Sequence, residues 1–385
     1  MKQGWVNKKL LEIADVSTGK YDANHAIEAG KYRFYTCAYN HGMCNTNRFS
    51  GESLILPGNG VNVGEVFYYD GEFDAYQRTY VVNNIKIFPQ YLHYHMLLYW
   101  KEFGTKLQYG SATNFIKIGN FQNYDVSYPP LPEQQRIVSI LDEAFAAIAK
   151  AKANAEQNLK NAKELFESYL QGVFENKGEG WEEKTLGEVC ELINRGVSPK
   201  YLEKNGVIVL NQKCIRDHKI SFEQSRFHDG VTKKVSPEKM VKLGDVLINS
   251  TGTGTLGRVA QVREELDNVT VDSHVTIVRP LQNLFFIDFF GWALIFIEDE
   301  IAKRGEGCGG QTELARSTLK IDFSICFPKS LEAQQTIVQK LDALSAETKK
   351  LEAIYQQKIN DLEELKKSVL QKAFSGELKT NAVAV

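Results

Sequence analysis

The sequence predicts an α+β protein with two mixed α/β domains, each followed by a long helix. The first observation is a repeat: the segment from Leu131 to Phe174 recurs without a gap 200 positions later, from Leu331 to Phe374. The second is that each copy follows a stretch of short strand-like runs broken by glycine. The third is that both stretches open alike, with Gly4-Trp5 and Gly180-Trp181. A period of this length indicates that whole domains are repeated.

The repeat also predicts the domain boundaries. At 385 residues the chain exceeds the size at which one hydrophobic core usually stops growing. We expect a first mixed domain at residues 1–130, a first long helix with a linker at 131–179, a second mixed domain at 180–330, a second long helix at 331–376 and a C-terminal tail at 377–385.

Within the mixed domains, local patterns predict strands and one buried helix each. Runs such as Ser53 to Leu56, Val63 to Tyr69 and Val275 to Val278 read as strands. The segments Tyr91 to Trp100 and Phe285 to Phe296 are apolar on nearly all sides. That pattern is typical of a buried helix.

The two repeated segments predict long paired helices. At about 1.5 Å per residue each would extend roughly 60 Å, which is longer than a compact domain requires. Because small alanines in one apolar seam could accommodate larger residues of the other, we expect an antiparallel coiled coil within one chain, with pseudo-two-fold symmetry and one domain toward each end. The expected seams are Ile137, Leu141, Ala144, Ile148, Ala151, Ala155, Asn158, Ala162, Leu165 and Tyr169, and Ile337, Leu341, Leu344, Thr348, Leu351, Tyr355, Lys358, Leu362, Leu365 and Val369.

Composition narrows the class of protein. The six cysteines contain no C-x-x-C pair, which favours reduced thiols over a disulfide framework or a zinc site, so no structural metal is expected. The first residues lack the apolar core of a signal peptide, and the run from Leu284 to Ile297 is too short to span a bilayer. We therefore expect a soluble, cytoplasmic protein.

The net charge of −2 conceals local positive stretches. Leu192 to Pro237 carries nine basic residues against four acidic ones, and Ala75 to Tyr124 carries five against Glu102. Each mixed domain therefore has one positive stretch, which is the usual electrostatic signature of a nucleic-acid contact.

In combination, several motifs resemble the DNA-specificity subunit of a Type I restriction-modification system over nearly the whole chain. They are Pro129 to Val138 (PPLPEQQRIV), its partner Pro328 to Val338 (PKSLEAQQTIV), the domain start Gly180 to Val189 (GWEEKTLGEV) and Gly244 to Gly252 (GDVLINSTG). The second helix start departs from the family pattern, with Ala333 where the family has Glu.

The resemblance implies a non-catalytic DNA reader. Its two target-recognition domains would bind the two halves of an asymmetric, interrupted site on double-stranded DNA. The paired helices would set the spacing and dock DNA adenine methyltransferase subunits, two being expected, and restriction/translocase subunits would join them. The resemblance implies no cofactor in this chain: S-adenosylmethionine, ATP and Mg²⁺ would bind the partner subunits.

For base readout we favour side chains with paired donors or planar forks, because Arg can bind guanine and Asn or Gln can bind adenine in the major groove. Positive stretches and turns supply the candidates. The predicted DNA-contacting residues are Tyr76, Gln77, Arg78, Thr113, Asn114 and Lys117 in the first domain, and Arg195, Lys200, Tyr201, Lys213, Arg216, Lys233, Lys234, Arg258, Gln311 and Thr312 in the second. Four histidines in expected loops or strand ends are weaker candidates: His41, His218, His228 and His274.

Other motifs favour simpler interpretations. Gly252-x-Gly254-x-x-Gly257 matches a dinucleotide-binding pattern, but a strand is expected after it, so a hairpin with positive-φ glycines is favoured. His93 and His95 point in different directions on a helix and are not expected to share a metal. No catalytic residue is predicted, because the one Pro-Pro pair, Pro129-Pro130, lies outside the sequence context that an adenine methyltransferase requires.

Two other classes of function remain open from the sequence. The nearly neutral charge would suit a coiled-coil scaffold or adaptor that binds protein partners. A DNA-processing enzyme with an unrecognised active site is the third possibility.

Overall fold

The computed structural model describes residues 4–106, 109, 114–308 and 311–378, with the backbone alone at 105, 306–308, 311 and 312. The described chain divides into two units. One combines Met1–Gln157 with Tyr355–Val385, and the other is Asn158–Ile354. Each unit therefore contains one mixed domain, the beginning of one long helix and the end of the other.

The first domain is built from short strands and three helices. Its helices are α1 (Leu10–Ile13), α2 (Pro89–Lys106) and α3 (Ile118–Gln122), and a 3₁₀ turn covers Ala23–His25. Its strands are β1 (Val6–Lys9), β2 (Asp15–Thr18), β3 (Tyr32–Tyr35), β4 (Gly42–Cys44), β5 (Ser53–Pro57), β6 (Phe67–Tyr69), β7 (Phe73–Ala75), β8 (Thr79–Asn83) and β9 (Asp125–Tyr128). The long helix α4 (Leu131–Glu175) follows.

The second domain has more strands and a similar set of helices. Its helices are α5 (Leu186–Val189), α6 (Ile287–Phe296), α7 (Glu298–Lys303) and α8 (Arg316–Ile321), with 3₁₀ turns at Gln212–Cys214 and Pro237–Lys239. Its strands are β10 (Trp181–Thr185), β11 (Cys190–Arg195), β12 (Tyr201–Leu202), β13 (Val207–Leu210), β14 (Ile215–Arg216), β15 (Lys219–Ile220), β16 (Arg226–His228), β17 (Val246–Asn249), β18 (Val259–Gln261), β19 (Val269–Val271), β20 (Val275–Pro280), β21 (Glu306–Cys308), β22 (Gln311–Glu313) and β23 (Ser324–Pro328). The long helix α9 (Leu331–Ser375) closes the order.

The two domains share one sheet topology. In the first, strands pair in the orders β1-β9, β2-β8-β5-β6 and β4-β3-β7. In the second, the orders are β10-β23, β11-β20-β17-β18 and β12-β16-β13-β19, with β3–β7 and β13–β19 the parallel pairs. The mixed α/β class, the two sheet-containing domains and the long helices are confirmed.

Two glycines mark the same close approach in both domains. A Cβ on Gly19 would lie 1.6 Å from the Ala75 carbonyl oxygen, and one on Gly196 would lie 1.9 Å from the Val271 carbonyl oxygen. Only glycine fits where the backbone crosses the end of β7 or β19 at this distance.

Each domain core is completed by parts of both long helices. Ile137 and Leu141 of α4 lie in the first domain's core together with Leu370 and Phe374 of α9. In the second domain's core, residues from the end of α4 join residues from the start of α9: Leu170, Phe174, Val338 and Leu341. Along the first unit, Arg136 contacts Leu378 and Lys152 pairs with Glu363 at 2.6 Å, so the two helices run antiparallel there.

The expected heptad seam is only partly right in the second half of each helix: Ala155 and Ala162 are buried as expected, but other seam positions are exposed. Leu165 and Leu365 are 53% and 47% exposed, and Asn158 and Lys358 are also exposed. The buried stripe instead passes through residues one position later, such as Ile359. A straight helix has 3.6 residues per turn, so its apolar face drifts about 20° per heptad from a 3.5-residue repeat.

Within the described residues, no helix is long and apolar enough to cross a membrane.

Candidate nucleic-acid interface

Each domain has one loop around which candidate DNA-contacting residues gather. The first central loop, residues 58–66, joins β5 to β6, and the second central loop, residues 250–258, joins β17 to β18. Both follow a buried strand of the four-stranded sheet. Because the preceding strands are rigid and buried, these loops have a fixed position on the domain surface.

In the first domain, backbone hydrogen bonds bring the predicted segments together at the first central loop. The Gly58 amide donates to the Arg78 carbonyl oxygen at 2.9 Å. The Gly60 amide donates to the Asn114 carbonyl oxygen at 2.8 Å. The Ile116 amide then donates back to Gly58 at 2.9 Å. The turn at residues 76–78 and the segment at 114–117 therefore lie on either side of one loop.

The turn at residues 76–78 is well anchored but presents free side-chain groups. The Thr79 amide donates to the Tyr76 carbonyl oxygen at 2.8 Å, closing the turn. Gln77 donates through Nε2 to Asp22 at 2.7 Å. Arg78 is exposed, and its guanidinium makes no hydrogen bond or ion pair with the described side chains. The turn therefore holds an arginine fork facing solvent.

Lys117 and Asn114 complete the first cluster. Both are exposed, and the Lys117 ammonium lies 4.4 Å from the centre of the Tyr109 ring. This cation–π contact orients the lysine without neutralising it. Thr113, the remaining predicted residue of this domain, lies outside the described residues.

The second central loop makes the same contacts in the second domain. The Ser250 amide donates to the His274 carbonyl oxygen at 2.8 Å, as Gly58 does to Arg78. The Leu314 amide donates to Ser250 at 2.8 Å, as Ile116 does to Gly58. Two loops of different sequence therefore build one arrangement.

Three predicted residues lie at the second central loop, two of them bonded through their own side chains and the third through the residue before it. Arg195 binds the Glu313 carboxylate at 2.5 Å and the Leu314 carbonyl oxygen at 2.8 Å. Arg258 donates to the Gly254 carbonyl oxygen at 3.0 Å. Lys213 is exposed beside Gln212, whose Oε1 accepts from Thr255 at 2.9 Å. Gln311 and Thr312 lie in β22, and their side chains are outside the described set.

Four predicted residues form a separate group around β12 and β16. All are exposed: Lys200, Tyr201, Lys233 and Lys234. Their loops are tied together by His228, which accepts from the Lys200 amide at Nδ1 (2.9 Å) and donates from Nε2 to the Lys233 carbonyl oxygen (2.8 Å). His228 is fully buried, so its prediction as a DNA contact is wrong. A buried ring with both nitrogens bonded supports backbone and cannot reach a ligand.

In the same group, Arg226 and Tyr201 form a stacked pair. The Arg226 guanidinium carbon lies 3.5 Å from the centre of the Tyr201 ring, on an exposed part of the sheet. The remaining predicted residue, Arg216, is exposed on the hairpin of β14 and β15.

The glycine-rich motif of the second central loop is a hairpin connection, as expected from the sequence. Gly252, Gly254 and Gly257 have φ of +104°, +75° and +89°. The antiparallel strand β18 follows directly, where a dinucleotide-binding motif would begin a helix.

Among the described residues, no group of three or more His, Cys, Asp or Glu side chains is placed to hold a metal ion. His95 is buried, and its Nδ1 lies 3.1 Å from the Tyr124 hydroxyl. Burial lowers the pKa of His95 to about 3 and that of His93 to about 4. Both rings are therefore neutral packing groups of the domain core at neutral pH.

Sequence reasoning missed the residues at equivalent positions of the two central loops. Asn59 bridges to Phe115 and Thr251 bridges to Glu313, so both sit at the middle of their clusters. His274, only a weak candidate from sequence, occupies the place of Arg78. Asn59 and Thr251 each lie two residues after a buried strand, and Arg78 and His274 each lie three residues after one. This equal spacing could have identified them from the sequence.

Comparison with known proteins places the chain in a family. A family model described as the Type I restriction modification DNA specificity domain matches residues 2–160 and 178–364. The chain belongs to this specificity family.

Curated members of the specificity family align with parts of the chain. The Type I restriction enzyme EcoDI specificity subunit of Escherichia coli is 35% identical over 153 residues, covering 40% of this chain and 34% of that protein. The EcoBI specificity subunit of Escherichia coli is 25% identical over 282 residues, covering 65% and 57%. The StySPI specificity subunit of Salmonella potsdam is 23% identical over 315 residues, covering 76% and 66%. The matches thus span between about a third and two thirds of these relatives' length.

Solved structures share the fold over almost the whole chain. The HsdS subunit from Thermoanaerobacter tengcongensis is 19% identical with a TM-score of 0.57, covering 98% of both chains. A chain from a structure on complex assembly and conformational transition of the type I R-M system is 19% identical with a TM-score of 0.76, covering 98% of this chain and 99% of that one.

Proposed function

We propose that this member of the specificity family reads a bipartite DNA sequence, with one domain for each half-site, and performs no catalysis itself. The observation that carries the proposal is the pair of central loops. Each loop gathers exposed or half-buried polar side chains at the same place on a shared scaffold, but the side chains differ: Arg78 and Asn114 in one domain, His274 and the half-buried Arg258 in the other. An unchanged scaffold with changed contact residues is what reading two unlike half-sites requires.

The side chains around the two central loops are suited to hydrogen bonding with base edges and not to catalysing a reaction. Arginine and asparagine present paired hydrogen-bonding groups to guanine and adenine. A methyl transfer or phosphodiester cleavage would need a cofactor or metal held beside a reacting group. We therefore place S-adenosylmethionine, ATP and Mg²⁺ on partner subunits: DNA adenine methyltransferase subunits, two per complex, and restriction/translocase subunits, all acting in the cytoplasm.

Two measurements test the proposal. Binding of the purified chain to duplex DNA should weaken steeply as salt rises, because each neutralised phosphate adds about −0.9 to the slope of log affinity against log salt. Label from S-adenosylmethionine should reach DNA only when methyltransferase subunits are added. A flat salt dependence would favour a protein-binding adaptor, and label transfer by the chain alone would make it an enzyme.

A further inference from the structure

A cationic groove lies in the second domain between β11 and α8. Its volume is about 780 Å³. Four cationic side chains line it, with Glu313 the carboxylate among its lining residues. The cations are Arg195, Lys239, Arg316 and Lys320. We name this feature the α8 groove.

Two cations of the α8 groove, Arg316 and Lys239, are each positioned by a hydrogen bond to a neutral oxygen. Arg316 donates through Nη1 to the Asn194 side-chain oxygen at 2.6 Å. Lys239 donates through Nζ to the Gly196 carbonyl oxygen at 2.9 Å. Lys320 is exposed and has no partner among the described side chains. Positioned cations with unused N–H groups lose little side-chain entropy when an anion binds.

Arg195 forms the floor of the α8 groove. Glu313 and the Leu314 carbonyl oxygen take its terminal nitrogens. Its Nε is buried and has no hydrogen-bond partner among the described residues. Because Arg195 is engaged by its contacts with Glu313 and Leu314, the other three cations of the groove are the ones available to an anion.

The α8 groove is continuous with the second central loop. Leu314, which binds Arg195, also donates its amide to Ser250 at 2.8 Å. Gly196, which binds Lys239, donates its amide to the Val275 carbonyl oxygen at 3.1 Å, at the end of the turn that contains His274. The groove and the second central loop therefore lie next to each other on the second domain.

The first domain carries fewer cations at the corresponding place, where Lys117 lies directly before α3. Its helix α3 occupies the place of α8, because Ile116 and Leu314 make equivalent hydrogen bonds just before the two helices. Helix α3 contains no basic residue, whereas α8 contains Arg316 and Lys320. Strand β2 ends in Thr18, paired with Tyr80, where β11 ends in Arg195, paired with Thr276.

We infer that the α8 groove binds the phosphate backbone of duplex DNA beside the half-site read by the second domain. This inference rests on the proposed function. Phosphate contacts position a protein on the duplex and carry no sequence information directly. Lys239, Arg316 and Lys320 are thus binding residues that raise affinity for every sequence. The second domain therefore offers more cations for backbone binding at this place than the first domain does.

The test compares the full chain with a triple variant, Lys239→Gln, Arg316→Gln and Lys320→Gln. Binding to labelled duplex DNA of random sequence is measured over a range of salt concentrations. Loss of two or three phosphate contacts should reduce the salt slope by about 2 to 3 and weaken binding at low salt. In the intact complex, methylome sequencing should find the recognised sequence unchanged.

A matched control removes the same charge elsewhere in the same unit: Lys204→Gln, Lys242→Gln and Lys340→Gln, all at exposed positions. Lys204 precedes β13, and Lys242 follows Val241, whose amide donates to the Val269 carbonyl oxygen at the start of β19 at 2.9 Å. Both lysines therefore lie at the opposite end of the β12-β16-β13-β19 sheet from the turn before β20. The control should keep the wild-type slope. Thermal unfolding checks that both variants fold, and Lys320→Glu alone replaces the triple variant should that variant unfold early.

The outcomes separate the two proposals. If the triple variant keeps the steep salt dependence of the wild type, the α8 groove does not bind the phosphate backbone, and the proposed DNA-reading function is unaffected. If polyglutamate competes for the groove as well as unlabelled DNA does, the groove binds anions in general, and the inference that it binds the DNA backbone is wrong. If binding of the wild-type chain to DNA does not depend on salt, the proposed DNA-reading function is itself wrong.

Discussion

The ring of Phe374, at the end of the second long helix, packs 5.2 Å from the ring of Tyr91 in the first domain. Phe174, its repeat equivalent, packs instead on Phe289 and Phe296 of the second domain. The last residues of the described chain therefore complete the core of the first domain.

Phe374→Ala should destabilise the first unit by about 3–5 kcal/mol, because a buried aromatic ring leaves a cavity. Hydrogen exchange should then accelerate in α2 and not in α6. The matched variant Phe174→Ala should reverse this pattern. Faster exchange in α6 alone after Phe374→Ala would contradict the assignment.

Gln134 and Gln334 play equivalent structural roles, because each connects the start of a buried helix to the residues before a long helix through two hydrogen bonds. Gln134 Oε1 accepts from the Phe88 amide at 2.9 Å and its Nε2 donates to Pro129 at 2.8 Å; Gln334 does the same with Phe286 at 2.7 Å and Pro328 at 2.8 Å.

Replacing either glutamine by leucine leaves a buried donor and acceptor unpaired, at a cost of about 1–3 kcal/mol for each group. Gln134→Leu should lower only the stability of the first unit, and Gln334→Leu only that of the second, as measured by hydrogen exchange. Gln135→Leu and Gln335→Leu, at exposed positions of the same repeat, should change stability by less than about 0.5 kcal/mol. Equal losses of stability in the buried and the exposed glutamine variants would contradict this structural role.

The first unit should lose stability in acid because of His95. Its folded-state pKa of about 3 lies below the ordinary value of 6.5, so the unfolded chain binds more protons between these values. Stability from the neutral ring is present above pH 6.5 and falls as pH decreases, by about 1.4 kcal/mol per pH unit. His95→Gln keeps a hydrogen-bonding group for Tyr124 without titrating, and should reduce the slope of unfolding free energy against pH by about 1.4 kcal/mol per pH unit between pH 6.5 and 4.5. The contribution of His93, whose pKa burial also lowers, remains in this variant. His41→Gln, at an exposed position, should leave the curve as steep as in the wild type.

Arg78→Ala should affect one half of the recognised sequence. Loss of a base contact costs about 1–3 kcal/mol of discrimination at one position. In the intact complex, methylome sequencing should show relaxed recognition within one half-site, while His274→Ala relaxes the other. Relaxation of the same half by both variants would contradict the assignment of one domain to each half-site.

Local periodicity by itself determined a large part of this protein. The repeat predicted the helices that begin at Leu131 and Leu331, and uniform apolarity predicted the buried helices α2 and α6, because both signals lie within one segment. Clusters of exposed arginine, asparagine and lysine near turns were also visible, although their grouping was not.

Only the tertiary structure decided which distant segments meet. It paired Gly58 with Arg78 and Ser250 with His274, buried His228, and exposed Leu165 and Leu365. The physical reason is that strand pairing and helix rotation depend on contacts between residues far apart in sequence, and these contacts override the local pattern. The shared strand order of the sheets, and not the sequence of the loops, defines which places in the two domains are equivalent.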